Sequence, residues 1–302
     1  MINNLIVLLG PTGVGKTAVA VDLAVHYGWE IISADSRQIY REMRTGTAVP
    51  DDEQLKKAKH HFIRTISIDR YYSSSLFERD VLELLPRLFA ANNSVLMTGG
   101  SGLYIDAICN GTDDIPDVDP AVREKYLGLY NEEGINGLRL ALRLLDPEHY
   151  ARVDLRNSKR MIRALEISES TGRPYSSFLK KQKRDRDFRV IKLGLRRTRD
   201  DLYGRINARV DAMISAGLEE EARDLMPFRH LNALNCVGYR EFFSFFDGVI
   251  TRDKAVELIK RNSRRYAKRQ MTWWARDTAI NWFDADRIDE IYMFLDAELT
   301  KG

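Results

Sequence analysis

Gly10-Pro11-Thr12-Gly13-Val14-Gly15-Lys16-Thr17 constrains this chain more than any other segment. It matches G-x-x-x-x-G-K-[ST] in full. It follows residues 5–9, a continuous apolar run of strand length, and opens residues 15–27, where Val19, Leu23 and Tyr27 recur at helical spacing among Ala18, Ala20 and Ala24. A buried strand feeding a glycine-rich turn and then a helix aims backbone N–H groups and the positive end of the helix dipole at phosphate oxygens. Lys16 is then placed to reach a terminal phosphate, and Thr17 to ligate Mg²⁺. This is the motif of nucleotide-binding and ATP-binding chains. It specifies a diphosphate or triphosphate and leaves the reaction open.

The alternation continues through the first third. Ile31-Ile32 leads into the polar turn Ser33-Ala34-Asp35-Ser36, and residues 61–68 read as a strand. Residues 75–92 read as a helix with Leu76, Val81, Leu84, Leu85 and Leu88 on one face, and residues 94–98 as a strand ending in Gly99-Gly100-Ser101-Gly102. Strands and helices joined by short links predict an α/β fold with a parallel, doubly wound sheet, whose ligands sit beyond the carboxyl ends of the strands. The acidic, proline-punctuated segment Asp113-Asp114-Ile115-Pro116-Asp117-Val118-Asp119-Pro120 changes the pattern. From residue 121 to about 184 the periodicity is helical, a strand returns at 188–195, and residues 279–283 suit a late strand. The expected organisation is a P-loop core over 1–114, a helical insertion over 115–187, and the rest of the core with basic C-terminal helices over 188–302.

Composition adds exclusions. Lys and Arg total 47 against 44 Asp and Glu, so the net charge of +3 is silent about partners and only local clusters speak. One cluster is Lys180-Lys181-Gln182-Lys183-Arg184. Another is Lys260, Arg261, Arg264, Arg265, Lys268 and Arg269, whose spacing makes a basic helix stripe suited to backbone phosphates. No apolar stretch approaches the roughly 18–20 residues of a membrane span, and the N-terminus reads as the first strand rather than a signal peptide, so a cytoplasmic protein without membrane contact is expected. Cys109 and Cys236 are too few for a disulfide scaffold and read as small buried hydrophobes. His60-His61 reads as a strand start rather than a metal pair. Trp273, Trp274 and the phenylalanines at 242, 243, 245 and 246 read as core. The strand before Thr98-Gly99-Gly100 lacks the closing Asp that holds Mg²⁺ in P-loop ATPases, Asp35 being the nearest candidate, which counts against ATP hydrolysis and leaves open phosphoryl transfer and transfer of a group attached to a diphosphate.

Three blocks now stand together: the P-loop, Ser33-Ala34-Asp35-Ser36-Arg37-Gln38-Ile39-Tyr40 with Thr45-Gly46-Thr47-Ala48, and Gly99-Gly100-Ser101-Gly102-Leu103-Tyr104. With Lys59-His60-His61, Val237-Gly238-Tyr239-Arg240-Glu241 and Ala267-Lys268-Arg269-Gln270-Met271-Thr272-Trp273, they resemble, in family order, the bacterial tRNA dimethylallyltransferases, also called tRNA isopentenyltransferases. The resemblance implies a P-loop NTPase-like fold, a monomer, and transfer of a dimethylallyl group from dimethylallyl diphosphate to N6 of the adenosine just 3′ of the anticodon, with pyrophosphate released. It makes Asp35 the base that takes the amine proton. Ser101 stands where the family usually has Thr and supplies the same hydroxyl, toward the substrate amine or Asp35. Residues Gly10, Pro11, Thr12, Gly13, Val14, Gly15, Lys16 and Thr17 hold the diphosphate, with Mg²⁺ on Thr17. An arginine also contacts it, Arg209 being favoured over Arg205. The resemblance places contacts to the anticodon stem-loop at Asp35, Ser36, Arg37 and Gln38, at Ser101, at Arg123, and at Lys159, Arg160, Met161, Ile162 and Arg163. In that last block the three basic residues cluster within about a helical turn while Met161 and Ile162 face elsewhere. The insertion that carries them argues against a related adenylate isopentenyltransferase acting on free nucleotide.

Overall fold

The computed structural model describes residues 2–113, 115–116, 119–179 and 184–301. β1 (Asn4–Leu9) alternates its apolar residues between two cores: Ile6 and Leu8 pack with Ala20, Leu23 and Leu193, while Leu5, Val7 and Leu9 pack with Phe77, Val81 and Leu85. A strand buried on both faces can only be internal to a covered parallel sheet. The chain continues through α1 (Lys16–Tyr27), β2 (Ile31–Ser33), a short α2 (Asp52–Lys57), β3 (His60–His61), α3 (Ser74–Ala91), β4 (Ser94–Gly99) and α4 (Gly102–Asn110). It then passes through α5 (Pro120–Leu145), α6 (Pro147–Tyr150) and α7 (Ser158–Thr171). Last come β5 (Arg189–Arg196), α8 (Arg199–Ser215), α9 (Leu218–Asp224), α10 (Tyr239–Phe246), α11 (Arg252–Trp274), β6 (Ile280–Asp284) and α12 (Ile288–Leu299). Among the described residues six strands form one sheet in the order β3-β2-β4-β1-β5-β6, with every pairing parallel. The carboxyl ends of β1, β2 and β4 therefore lie side by side, which brings the three glycine-rich or acidic turns together.

The strand expected over residues 61–68 is not formed. β3 stops at His61 because Phe62 (φ 63°) and Arg64 (φ 52°) take left-handed backbone conformations. The N–H groups that follow are used on the Asp35 turn instead: Arg64 N donates to Gln38 O at 2.8 Å and Thr65 N to Ile39 O at 2.8 Å.

The chain divides into two compact units, Met1–Cys109 with Asp185–Gly302, and Asn110–Arg184. In the first, α8 to α11 add a third core around Tyr239, Phe242, Phe243 and Ile259, with Phe245 and Phe246 packed at its edge. Trp274 is buried, and Trp273 packs beside it and donates to Asp106 at 3.0 Å. Arg186 clamps the C-terminal turn of α4, donating to Ala107 O and Ile108 O at 2.8 Å each and to Glu78 Oε1 at 2.6 Å. The second unit packs α5, broken at Gly134, against α7 through Tyr126, Leu138, Leu142, Met161, Ile162 and Leu165. Its ends meet where Arg184 N donates to Asn110 O at 2.9 Å. Of the basic run at 180–184, Lys180, Lys181, Gln182 and Lys183 lie outside the described residues, as do Asp114, Asp117 and Val118 of the acidic segment. Among the described residues no helix is long and apolar enough to cross a membrane.

Candidate active site

The P-loop leaves β1 at Gly10 and enters α1 through Gly15, the N-cap residue, whose φ of 111° belongs to the left-handed region that glycine tolerates. The loop and the first turn of α1 line a cavity of about 430 Å³. Lys16 Nζ lies along the loop, donating to Gly10 O at 2.7 Å and Pro11 O at 3.0 Å. Thr12, Gly13, Gly15 and Thr17 line the same cavity. Pro11 and Val14 are buried beneath it. Val14 O accepts from Arg197 Nε at 2.9 Å, and Asp201 and Asp286 hold that guanidinium in turn.

α8 lies over the loop and carries both sequence-predicted arginines. Arg205 is exposed and donates to Gly13 O at 3.1 Å. Arg209 reaches further in, Nη1 lying 3.4 Å from Thr12 Oγ1. Burial pulls the Lys16 ammonium down to about 7, the neighbouring Arg209 cation adds to that effect, and Asp35 opposes it. Burial also lowers Arg209, again with Asp35 opposing, but a guanidinium stays charged at neutral pH. Two cations beside one carboxylate leave surplus positive charge, which a diphosphate neutralises.

Asp35 follows β2 and lines the cavity. Its Oδ1 accepts from Arg37 N at 2.9 Å and Gln38 N at 3.3 Å, fixing the carboxylate on its own turn. Among the described residues Oδ2 has no hydrogen-bond partner, so one carboxylate oxygen remains to take a proton from a bound molecule. Ser101 Oγ accepts from Ser36 N at 2.9 Å and donates to Ser36 Oγ at 3.2 Å, so its hydroxyl is used on Ser36 rather than on Asp35. Ala34 N donates to Thr98 O at 2.7 Å and Ser101 N to Ala34 O at 3.2 Å, stitching the β2 turn onto the β4 turn. Gln38 is fully committed: its amide donates to Thr47 O and Ala48 O at 3.2 and 3.1 Å, and its carbonyl accepts from Ser33 at 3.2 Å.

Gln270 had no role assigned from sequence. Buried on α11, it accepts from Thr12 N at 2.8 Å and donates to Gly100 O at 2.8 Å, tying the P-loop to the β4 turn. No local pattern signals this, because the partner of Thr12 is 258 residues away. The basic stripe of α11 is partly spent inside the protein. Lys260 pairs with Asp211 at 2.6 Å and Arg264 donates to Asn207 at 2.5 Å, while Arg265, Lys268 and Arg269 are exposed.

Within the second unit, Lys159 and Arg160 are exposed at the start of α7, and Arg123 and Arg163 converge on the fully buried Glu166 at 2.8 and 3.4 Å. Met161 and Ile162 are 0% and 4% exposed in the core of this unit, so their side chains are not offered to a partner. The RNA contact expected at residues 161 and 162 therefore finds no exposed side chain there, since both share the face of α7 that packs on α5. Cys109 and Cys236 are thiols pushed up to about 12 by burial, inert at neutral pH.

Thr17 is the second residue of α1 and lines the cavity together with Asp35. Among the described residues no cluster of three or more His, Cys, Asp or Glu could cage a metal. A lone hydroxyl beside a phosphate cradle suits Mg²⁺, which keeps several waters and binds through few protein oxygens plus substrate phosphates.

Comparison with known proteins places the chain in a family. The chain is 55% identical over 287 residues to tRNA dimethylallyltransferase 1 of Porphyromonas gingivalis, covering 94% of this chain and 96% of that one. It is 51% identical over 297 residues to tRNA dimethylallyltransferase 2 of Parabacteroides distasonis, covering 98% and 99%. The crystal structure of the full-length tRNA isopentenylpyrophosphate transferase of Bacillus halodurans superposes with a TM-score of 0.72 at 34% identity, over 99% of this chain and 97% of that one. Residues 38–277 match the model of the IPP transferase family, a span that takes in the Asp35 turn from Gln38 onward, both arginines of α8 and Gln270. By sequence and fold, this chain belongs to the IPP transferase family.

Proposed function

We propose that the protein transfers a dimethylallyl group from dimethylallyl diphosphate to N6 of the adenosine 3′-adjacent to the anticodon in tRNA, releasing pyrophosphate. The observation that carries this reading is the meeting of the P-loop cradle and the Asp35 carboxylate in one cavity. An exocyclic adenine amine is a weak nucleophile that becomes acidic as the new C–N bond forms. The reaction therefore needs an anchored leaving group and a base within reach of the same carbon. Lys16, Arg209 and loop amides such as those of Gly13, Gly15, Lys16 and Thr17 take the charge that develops on the departing diphosphate as the C–O bond breaks, while Thr12 N stays on Gln270. Asp35 Oδ2 takes the N6 proton, and the Ser36–Ser101 pair keeps the turn of Asp35 in place. Thr17 and the diphosphate oxygens would hold Mg²⁺, which supplies further neutralisation of the leaving group.

Duplex RNA hides its base edges, so the target is an unstacked loop adenosine extruded into the cavity. Contacts to the stem-loop phosphates are proposed for Arg123, Lys159, Arg160 and Arg163 and for the exposed residues of the α11 stripe. The test is to incubate the protein with labelled dimethylallyl diphosphate and Mg²⁺, together with either unmodified tRNA or AMP. Label on tRNA, lost when the target adenosine is replaced by guanosine, is the expected result. Label on AMP without label on tRNA, or ATP hydrolysis with no transfer, overturns the proposal.

A further inference from the structure

Glu221, on α9, accepts four hydrogen bonds from two other parts of the chain. Oε2 takes Arg44 N at 3.0 Å and Thr45 N at 2.7 Å, and Oε1 takes Gly46 N at 2.8 Å and the Tyr239 hydroxyl at 2.6 Å. Gly46 lies so close to the Tyr239 ring that a Cβ there would meet it at 2.4–2.6 Å. The loop held this way continues into Thr47 and Ala48, whose carbonyls grip the Gln38 amide, and Gln38 N in turn donates to Asp35 Oδ1.

The wall reached by this series of hydrogen bonds is strained. Among the described residues the non-glycine positions with positive φ are Ala48 (45°), Phe62 and Arg64, and both Ala48 and Ile63 line the cavity. Such conformations are costly for residues with a Cβ and persist only where the surroundings over-determine them. A carboxylate accepting three consecutive backbone N–H groups over-determines the segment that ends in Ala48.

We propose that Glu221 is a positioning residue for the transfer reaction: through residues 44–48 and Gln38 it fixes the acceptor side of the cavity and the turn that carries Asp35. The proposal rests on the function proposed above, and it leaves the P-loop side untouched. Glutamine at this position offers one acceptor oxygen and turns an NH₂ group toward the donors the second oxygen served, so two N–H or O–H groups lose their partner.

The experiment compares wild type, Glu221→Gln and Tyr239→Phe, measuring kcat with tRNA, the Kd of inorganic pyrophosphate, and amide exchange over residues 44–48. For Glu221→Gln, kcat is expected to fall about 10- to 100-fold, the loss typical of a misplaced catalytic geometry, with pyrophosphate Kd within about twofold and faster exchange at residues 44–46. Tyr239→Phe removes one of the four donors and gives a smaller loss of the same kind. Wild-type kcat in Glu221→Gln overturns the proposal. So does a parallel loss of pyrophosphate affinity, because that is general destabilisation rather than positioning. A wild-type chain that transfers nothing to tRNA removes the underlying function and the proposal with it, an outcome distinct from an active wild type whose Glu221→Gln variant keeps full turnover.

Discussion

Donor binding is expected to take up a proton at Lys16. Its ammonium sits against the P-loop with Arg209 beside it, and burial with that neighbouring cation brings its pKa down to about 7. A diphosphate in the cradle places at least two negative charges next to Nζ and returns the group toward its ordinary value near 10.4. Where only the charged lysine binds, uptake equals the neutral fraction in the free protein: about 0.1 proton at pH 6, 0.5 at pH 7 and 0.9 at pH 8. Apparent donor affinity then falls about fivefold from pH 7 to 8 and tenfold from pH 8 to 9. Titration calorimetry with dimethylallyl diphosphate and Mg²⁺ in two buffers of different ionisation enthalpy reads the proton number directly. The last ionisation of the phosphate, near pH 6, is complete at the upper end of this range. The sign for folding follows from the same shift. Because the folded pKa is lowered, the site is most costly below pH 7, and its contribution to stability rises with pH between 7 and 10.5. Proton uptake near zero at pH 8, or an affinity flat from pH 7 to 9, refutes the argument.

Asp35→Asn retains an acceptor for the N–H groups of Arg37 and Gln38 but takes no proton, so turnover is expected to fall about 10²- to 10⁴-fold with tRNA affinity little changed; single-turnover rates near wild type would remove Asp35 as the base. Gln270→Ala leaves Thr12 N and Gly100 O without their buried partner, costing about 1–3 kcal/mol by denaturant titration and weakening pyrophosphate binding; an unchanged denaturation midpoint would show that the tie carries no energy. Lys159→Ala combined with Arg163→Ala is expected to weaken tRNA binding and to reduce the slope of log K against log salt by about 0.7 for each RNA phosphate that is no longer neutralised. Dimethylallyl diphosphate affinity unaltered alongside that change supports an RNA role, and equal loss of both substrates argues against one.

Where the chain makes its own structure locally, the sequence is readable. The apolar run of β1, the glycine turn and the alanine-rich α1 announce themselves within 27 residues, as does β4 with its glycine turn. Residues 61–68 look like a strand for the same reason, yet of these only His61 lies in β3. Non-local hydrogen bonds from residues 64–66 to the Asp35 turn outweigh strand propensity there, and no period in the sequence encodes them. Gln270 and Glu221 escape for a related reason. Each holds a loop more than 170 residues away, so its role exists only once the sheet has brought the turns together. Conversely, Met161 and Ile162 show how a block matched as a whole mixes residues that face a partner with residues that fill a core.

The clamp of Arg186 on the last turn of α4 has an architectural consequence. The chain leaves the sheet-bearing unit just after Ile108 and is back, bonded to the same carbonyl, by Arg186. Exit and re-entry therefore lie together on the last turn of α4, within the sheet-bearing unit. The register of β5 on β1, from Asn4 opposite Arg189 to Leu9 opposite Gly194, is set between residues of the sheet-bearing unit itself.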